Sequence, residues 1–548
     1  MKKVFKLTAL LLSVAMVLSL AACGKSGSAS QSGGEEKVKL TIGIPAKTNV
    51  VSFDDNAFTR FLEEKTGYDL EFVKFSSAVG EEKTQLTTMV AAKETLPDLL
   101  YGFSFTAQEL NTYGSDGYFL DLTPYFEDEE LTADYRARVA ELYGEDHFDY
   151  VMSFIKSADG KIYGYPTIAT SEADQPWNSV YINTVWLDKL GLEMPTNYEE
   201  FVEVLRAFKT GDPNGNGIAD EIPAIGSTYM SKGNIPAWIL NNWLYLNDRF
   251  FFNVEDGKLT LPHVTDEYRE GVQALHDLVD EGLLSSMSWT IAEQSEYSAL
   301  CTPANQTAIC GVFAGHMLIY PSVDNPVALE YQPLPPFNHA PILGQAPSLN
   351  AFITADTKYP DECFNLMQVI STEAGSMACR YGEEGVDWEW SADYATGNTA
   401  VGVLNTSVVG GQNKSTWSTT AGILTKYGLS TKYHTAVTSA PEDMTWSECR
   451  TQLNNDHAAQ YLAVGEKNNP DQVLDWALNY NDEELDRLGN IQAEITSYLG
   501  EMRAKFATGE LDPYNDADWD RYVQTLNDIG LETWVACAQS AYDRFMAN

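Results

Sequence analysis

The chain has 548 residues, 44% of them apolar and 12% aromatic, enough to fill more than one hydrophobic core and to exclude disorder as the default. Its 35 basic and 78 acidic residues leave a net charge of −43. A field of that sign repels nucleic acid and anionic membrane surfaces, and it welcomes neutral or cationic ligands and divalent cations.

Lys2 and Lys3 precede an apolar run, ALLLSVAMVLSL, that is too short for a good membrane span. The run ends in Leu20-Ala21-Ala22-Cys23, which resembles the lipobox of bacterial lipoproteins. That resemblance implies a signal peptide over 1–22 and a lipid on Cys23. The protein would then sit on the extracellular face of the cell membrane, anchored by that lipid alone. Residues 23–37, rich in Gly and Ser, read as a tether. Of the remaining cysteines none forms a C-x-x-C pair, so zinc is not indicated. Export permits disulfides, and Cys301 with Cys310 is the nearest pair, but the six read as buried thiols of a large domain.

In chain order, VKLTIGIP (38–45) alternates and predicts a strand, a helical segment follows over 53–65, and YDLEFVKF (68–75) predicts a second strand. A helix over 81–93 leads to LPDLLYGF (96–103), a short and nearly all-apolar third strand. Strands alternating with helices predict a mostly parallel sheet, with ligands gathered beyond the strands' C-terminal ends. A second region opens at KIYGYPTI (161–168) and continues through SVYINTVWLDKLGLEMPTNYEEFVEVLRAFK (179–209). There Thr196 with Glu199 fits a capping box, and Phe201, Leu205 and Phe208 share one helical face. Another helix is expected over Tyr268–Glu281, with Leu275, Leu278 and Val279 inward and Gly282 ending it. A last long helix is expected over about 482–507, with Leu488, Ile495, Leu499, Met502 and Phe506 at helical spacing and Gly509 as its cap.

The phrases GKIYGYP, YINTVWLDKLGLEMPTNYEEF, YGEEGVDWEW (381–390) and the tail from KFATGELDPYNDADW onward stand in one order. In that order they resemble the extracellular solute-binding lipoproteins of carbohydrate ABC importers, a group that includes the alginate-binding proteins. The resemblance implies a two-lobed α/β fold of the type II periplasmic-binding-protein kind, each lobe a mostly parallel sheet flanked by helices. It places lobe one at 38–160 plus 345–395 and lobe two at 161–344 plus 396–548. It also implies capture of an oligosaccharide by hinge closure in the cleft between lobes, with delivery by a monomer to ABC permease subunits.

The stretch DPNGNGIADEIP (212–223) follows an EF-hand pattern. Asp212, Asn214 and Asn216 fill positions 1, 3 and 5, Gly217 the turn at 6, the Ile218 carbonyl 7, and Asp220 position 9. Pro223 at position 12 cannot ligate, which leaves Glu221 as its substitute. Hard oxygens on a glycine-permitted turn suit Ca²⁺, whereas an Asx/Gly surface turn needs no ion. The alginate-binding relatives carry a calcium loop of this form, and the resemblance extends through Glu221. A structural role is expected, because the loop follows a helix and adjoins no substrate.

Sugars are gripped by aromatic faces and planar polar groups. Trp177 in EADQPWNS, Trp238 and Trp243 in NIPAWILNNWLYLND, and Trp388 in GEEGVDWEW are the candidate stacking rings, with Asp387 and Glu384 as hydroxyl acceptors. Trp186, Trp476, Trp519 and Trp534 read as core. A glycoside hydrolase would need paired carboxylates, which so acidic a chain neither proves nor excludes. There is no H-E-x-x-H, G-x-S-x-G or Walker A stretch, so a binding protein is expected rather than an enzyme. A peptide binder and a surface adhesin are the alternatives. The charge favours a neutral oligosaccharide over a uronate polymer.

Overall fold

A computed structural model describes residues 37–547, apart from 79, 144–146, 168–175, 229–230, 302–306, 316–325, 343–346, 391–400, 404–411, 418–445 and 471–477. Cys23, the signal peptide, all of the tether but its last residue, and Trp476 lie outside the described residues.

The first strands are β1 (Lys39–Pro45), β2 (Asp69–Phe75), β3 (Leu99–Tyr101) and β4 (Tyr165–Thr167). Then come β5 (Val180–Asn183), β6 (Ile222–Ile225) and the hairpin of β7 (Asn253–Glu255) and β8 (Lys258–Thr260). β9 (Cys310–Ala314), β10 (Tyr331–Pro333) and β11 (Ser348–Ile353) follow, and a second hairpin joins β12 (Trp388–Trp390) to β13 (Val401–Val403). One sheet has the order β2-β1-β3-β11-β4 and the other β10-β5-β9-β6.

In the first sheet β1 runs parallel to β2 and β3, while β11 is antiparallel to β3 and β4. Ala351 pairs with Tyr101 and Ser348 with Thr167, so β11 starts and β4 ends at the edge where β1, β2 and β3 end. The second sheet repeats this. Val180 pairs with Ala314, Pro333 with Tyr181 and Ile225 with Phe313, so β5 starts and β10 ends where β6 and β9 end. The chain therefore leaves the first sheet at Thr167 and enters the second at Val180, both at C-terminal strand edges. It returns from Pro333 to Ser348 the same way. A strand that enters a sheet from that edge must run against the strands already there. This is why each sheet, mostly parallel as expected, carries one antiparallel strand, β11 in the first and β5 in the second.

Burial follows the strand period: Leu40, Ile42 and Ile44 of β1 are buried. The first sheet's core includes Phe75, Leu86, Leu100, Phe119 and Phe352. The second core runs from Val180 and Phe313 to Leu499, Phe506 and Trp534 near the C-terminus. Between the 182–225 strands, the helix Tyr198–Thr210 buries Phe201, Val204, Leu205 and Phe208. Its cap lies one residue later than expected: Asn197 Oδ1 accepts the Glu200 amide at 2.9 Å, and Glu200 Oε2 accepts the Thr196 amide at 2.9 Å. The long helix expected over 482–507 is broken at Gly489 (φ 45°, ψ −115°) into Asp482–Leu488 and Ile491–Ala507. Only glycine adopts that backbone readily.

Residues 165–167 and 412–417, which the expected boundaries give to lobe two, lie with the first sheet. Val51 donates to the Asn413 carbonyl at 2.9 Å, and the Trp417 ring packs edge-on against Phe58, Phe72 and Tyr101. Leu453 is already in the second core. Cys301, Cys310, Cys363, Cys379 and Cys537 are buried free thiols. No helix among the described residues is long and apolar enough to cross a membrane.

Candidate functional site

Trp177 stands just before β5, and Ser227 and Thr228 just after β6, on the edge from which both passages leave. With Phe251 and Trp289 they line a cavity of about 600 Å³, walled on its far side by the helix Ile491–Ala507. The loop after β6 is fixed by its neighbours: the Gly226 amide donates to Ser288 Oγ at 2.9 Å, and Thr228 Oγ1 donates to the Ile291 carbonyl at 2.8 Å. Phe251 is held at φ 64°. That left-handed conformation costs a bulky residue on the order of 1 kcal/mol or more and persists only where packing imposes it. Here its ring lies 5.8 Å from His263 and 5.7 Å from Trp534.

The floor is an ion-pair network. Arg503 donates through Nη1 and Nη2 to the two Asp248 oxygens at 2.6 and 2.8 Å, and through Nε to the Tyr268 hydroxyl at 3.2 Å. Asn234 Nδ2 donates to the same carboxylate at 3.0 Å, and His263 Nε2 lies 3.5 Å from it. Burial pushes the Asp248 carboxyl up, but the Arg503 guanidinium outweighs it and holds the group well below the usual carboxylate range. Burial pulls His263 below its ordinary value. The one cation among the described lining residues is thus consumed by its own partner.

A second cavity, about 500 Å³, lies on the first sheet's side between the helices Ala57–Thr66 and Glu373–Tyr381. Trp388, Trp390 and Glu384 line it. Trp388 is only 3% exposed, donates from Nε1 to the Gly382 carbonyl at 3.1 Å, and packs edge-on against Trp390 at 4.9 Å. Asp387 is 2% exposed and accepts the Glu383 amide at 2.8 Å. Gly382 (φ 87°) makes this possible, since a Cβ there would meet Asp387 Oδ2 at 2.4 Å. These two residues therefore shape the 382–388 turn, while Glu384 is exposed on its rim.

Trp238 is buried in the second core, edge-on to Phe201 and Phe337 at 5.3 Å each. Trp243 packs half-buried against Tyr198 at 4.7 Å. Of the six candidate ligand residues, Trp177 alone reaches the cavity at the strand edges. Sequence reasoning missed Trp289, Phe251, Ser227 and Thr228. Trp289 carried the same signal as Trp177, a tryptophan in an irregular polar stretch, SSMSWT, just past a helix-ending glycine. Ser227 and Thr228 follow a four-residue strand that no periodicity announces.

The acidic loop sits between the Tyr198–Thr210 helix and β6. Asp212 (φ 45°), Gly215 (φ 74°) and Gly217 (φ 74°) all take left-handed backbone. The Asp212 carboxylate accepts the Gly217 amide at 3.1 Å, Asn214 Oδ1 the Asn216 amide at 2.9 Å, and Asn216 Oδ1 the Ile218 amide at 2.6 Å. Asn216 Nδ2 donates to Asp220 at 3.0 Å. These bonds tie Asp212, Asn214, Asn216 and Asp220 into one tight turn, with Asn214 buried and the other three exposed, and Glu221 Oε1 next to it is buried with no partner among the described residues. Burial, then the Asp220 and Asp212 charges, push the Glu221 carboxyl up. No group of three or more His, Cys, Asp or Glu among the described residues is placed as a metal site. Two of the four loop oxygen donors are asparagines and a fifth is a backbone carbonyl, a hard-oxygen set that fits calcium.

No family model matches the chain. Over 582 aligned positions it is 25% identical to the fructooligosaccharide ABC transporter substrate-binding protein FusA of Streptococcus pneumoniae, covering 100% of this chain and 99% of FusA. An extracellular solute-binding protein of Bifidobacterium longum subsp. infantis superposes with a TM-score of 0.72 at 21% identity, over 94% of this chain and 100% of that one. FusA in complex with kestose gives 0.66 at 21% identity, over 93% and 100%, and a FusA EF-hand mutant gives 0.64 at 20%, over 93% and 100%. The alginate-binding protein AlgQ2 without calcium ion gives 0.61 at 19%, over 93% of this chain and 99% of that one. The fold is that of the two-lobed extracellular solute-binding proteins. FusA is a relative in sequence as well as in fold.

Proposed function

We propose that this chain is the substrate-binding component of an ABC importer, tethered through lipid on Cys23, that captures a neutral oligosaccharide and passes it intact to permease subunits. Its lobes are 38–167 plus 348–417 and 176–333 plus 453–547, closing as a monomer about the passages that join them. The observation that carries this reading is the arrangement of those passages. Both join C-terminal strand edges, and an aromatic-lined cavity stands at one of these edges, beside Trp177. Trp388, Asp387 and Glu384 belong to a separate slot on lobe one, where the first two hold a turn and Glu384 is free to meet a ligand at the rim. The loop from Asp212 to Glu221, with the Ile218 carbonyl, binds one structural calcium ion. A neutral ligand follows from the self-neutralised floor, and the relatives' ligands point to sugars as the class.

The test is thermal unfolding of the mature chain against a panel of kestose, nystose, maltotetraose, xylotetraose, lacto-N-tetraose and oligogalacturonates. A neutral sugar at a hundred times its Kd stabilises by about 2.7 kcal/mol and is recovered unchanged. Release of smaller sugars would make the protein a hydrolase. A shift confined to oligogalacturonates would refute neutrality, and a shift with no sugar would remove the carbohydrate reading.

A further inference from the structure

We infer that the cavity beside Trp177 is a subsite for a single uncharged, hydroxyl-bearing sugar ring, in which Ser227 and Trp177 supply hydrogen bonds and Gly500 leaves the room. The inference rests on the sugar-binding reading above and adds its geometry.

The wall's polar groups are nearly all engaged. Thr228 Oγ1 donates to the Ile291 carbonyl, Ser288 Oγ accepts the Gly226 amide, and Thr496 Oγ1 donates to the Gln492 carbonyl at 2.6 Å. Asn234 uses Nδ2 on Asp248 and Oδ1 on the Ala237 amide at 3.2 Å. Ser227 Oγ and Trp177 Nε1 are the exceptions: both are buried with no partner among the described residues, and Ser227 is 4% exposed. A buried hydroxyl or indole N–H left unpaired is unfavourable, and a sugar hydroxyl, at once donor and acceptor, satisfies either.

Gly500 is independent of those atoms. It lies inside the helix Ile491–Ala507 and lines the cavity, yet a Cβ there would meet nothing within 4 Å. Glycine inside a helix is destabilising relative to alanine. No close packing or positive φ calls for it here; it is exposed, and without a side chain it leaves the space above the helix open. Charge sets the class of ligand. Arg503 is bound to Asp248, and Glu501 is paired with Lys505 at 2.7 Å. No unpaired cation among the described lining residues is left for a uronate carboxylate.

Calorimetric titration of Ser227→Ala, Trp177→Phe, Gly500→Ala and Gly500→Phe, with whichever neutral panel sugar binds the wild-type chain, tests this. Loss of one hydrogen bond in the first two should weaken binding about tenfold. Gly500→Phe, which fills the space, should weaken it more than about a hundredfold, with Gly500→Ala within about threefold of wild type. The melting temperatures of Ser227→Ala and Gly500→Ala should not fall, because neither loses a native contact. Wild-type affinity in both Ser227→Ala and Gly500→Phe, with the wild type binding sugar, would overturn the subsite and leave the function standing. Should Gly500→Phe fail to fold, wild-type affinity in Ser227→Ala and Trp177→Phe overturns it alone. A wild-type chain that binds no neutral sugar overturns both.

Discussion

Replacing Arg503 with methionine is expected to destabilise the second lobe by about 3–5 kcal/mol, the usual cost of stranding one member of a buried ion pair. The side chains of Arg503 and Asp248 are 8% and 15% exposed, so solvent screens the pair little. Without the guanidinium, Asp248 keeps one hydrogen bond from Asn234 and a neutral His263. The pH profile separates this account from simple loss of packing. In the wild-type chain the folded carboxyl is depressed, so its contribution is fully present above the ordinary aspartate range and is lost only as pH falls through the folded value far below it. In the variant, burial is expected to outweigh the remaining Asn234 and His263 contacts and to raise the folded value. The penalty is then full at neutral pH and is relieved as the solution is acidified through the raised value. Protonation of His263 beside the stranded carboxylate adds to the recovery. Urea unfolding at pH 8 and pH 5 should therefore give a difference between variant and wild type that shrinks with acidification. A constant difference would mean that the arginine matters through its packed stem. Adding Asp248→Leu to Arg503→Met should recover most of the loss, since a matched apolar pair removes the stranded charge.

The pattern of strands and helices in the first 103 residues was legible because it is local: β1 alternates, β3 is a short apolar run, and their order alone predicts the parallel pairings of β1 with β2 and β3. The antiparallel strands β5 and β11 were not legible, because their direction is set by where the chain crosses between the two sheets. That is a property of pairs 130 or more residues apart, such as Ile182 with Val312 or Tyr101 with Ala351. The EF-hand pattern of the acidic loop could be read from sequence because its six oxygen-bearing residues fall within the single stretch from Asp212 to Glu221. The cavity beside Trp177 could not, since Trp177, Ser227, Phe251, Trp289 and Gly500 meet only through tertiary structure. Trp388 and Asp387 show the limit of composition: their glycine-rich, acidic surroundings look like a solvated loop, but the Gly382 turn folds them inward.

Removing calcium is the other large expected effect. For a site with a Kd of about 1 μM in 1 mM calcium, chelation withdraws about 4 kcal/mol of stability from the folded state. The backbone of the loop suits this: Asp212, Gly215 and Gly217 already hold the left-handed conformations of a tight, oxygen-bearing turn. The partnerless Glu221 oxygen is what the ion would satisfy. Metal analysis of the purified chain should find one calcium per molecule, and EGTA should lower the melting temperature of the wild type while leaving Asp212→Ala, already low, unmoved. Equal melting curves with and without EGTA, or no bound metal, would dismiss the site. The consequence reaches the ligand through the strand that follows. The loop hands the chain to β6, anchored by the Ile222 amide on the Ile309 carbonyl at 2.7 Å, and Ser227 and Thr228 follow just after β6 on the cavity wall. A loosened β6 entry leaves those hydroxyls less well placed, so EGTA should also weaken sugar binding several-fold. That loss should vanish in Ser227→Ala if Ser227 is the group through which the ion is felt.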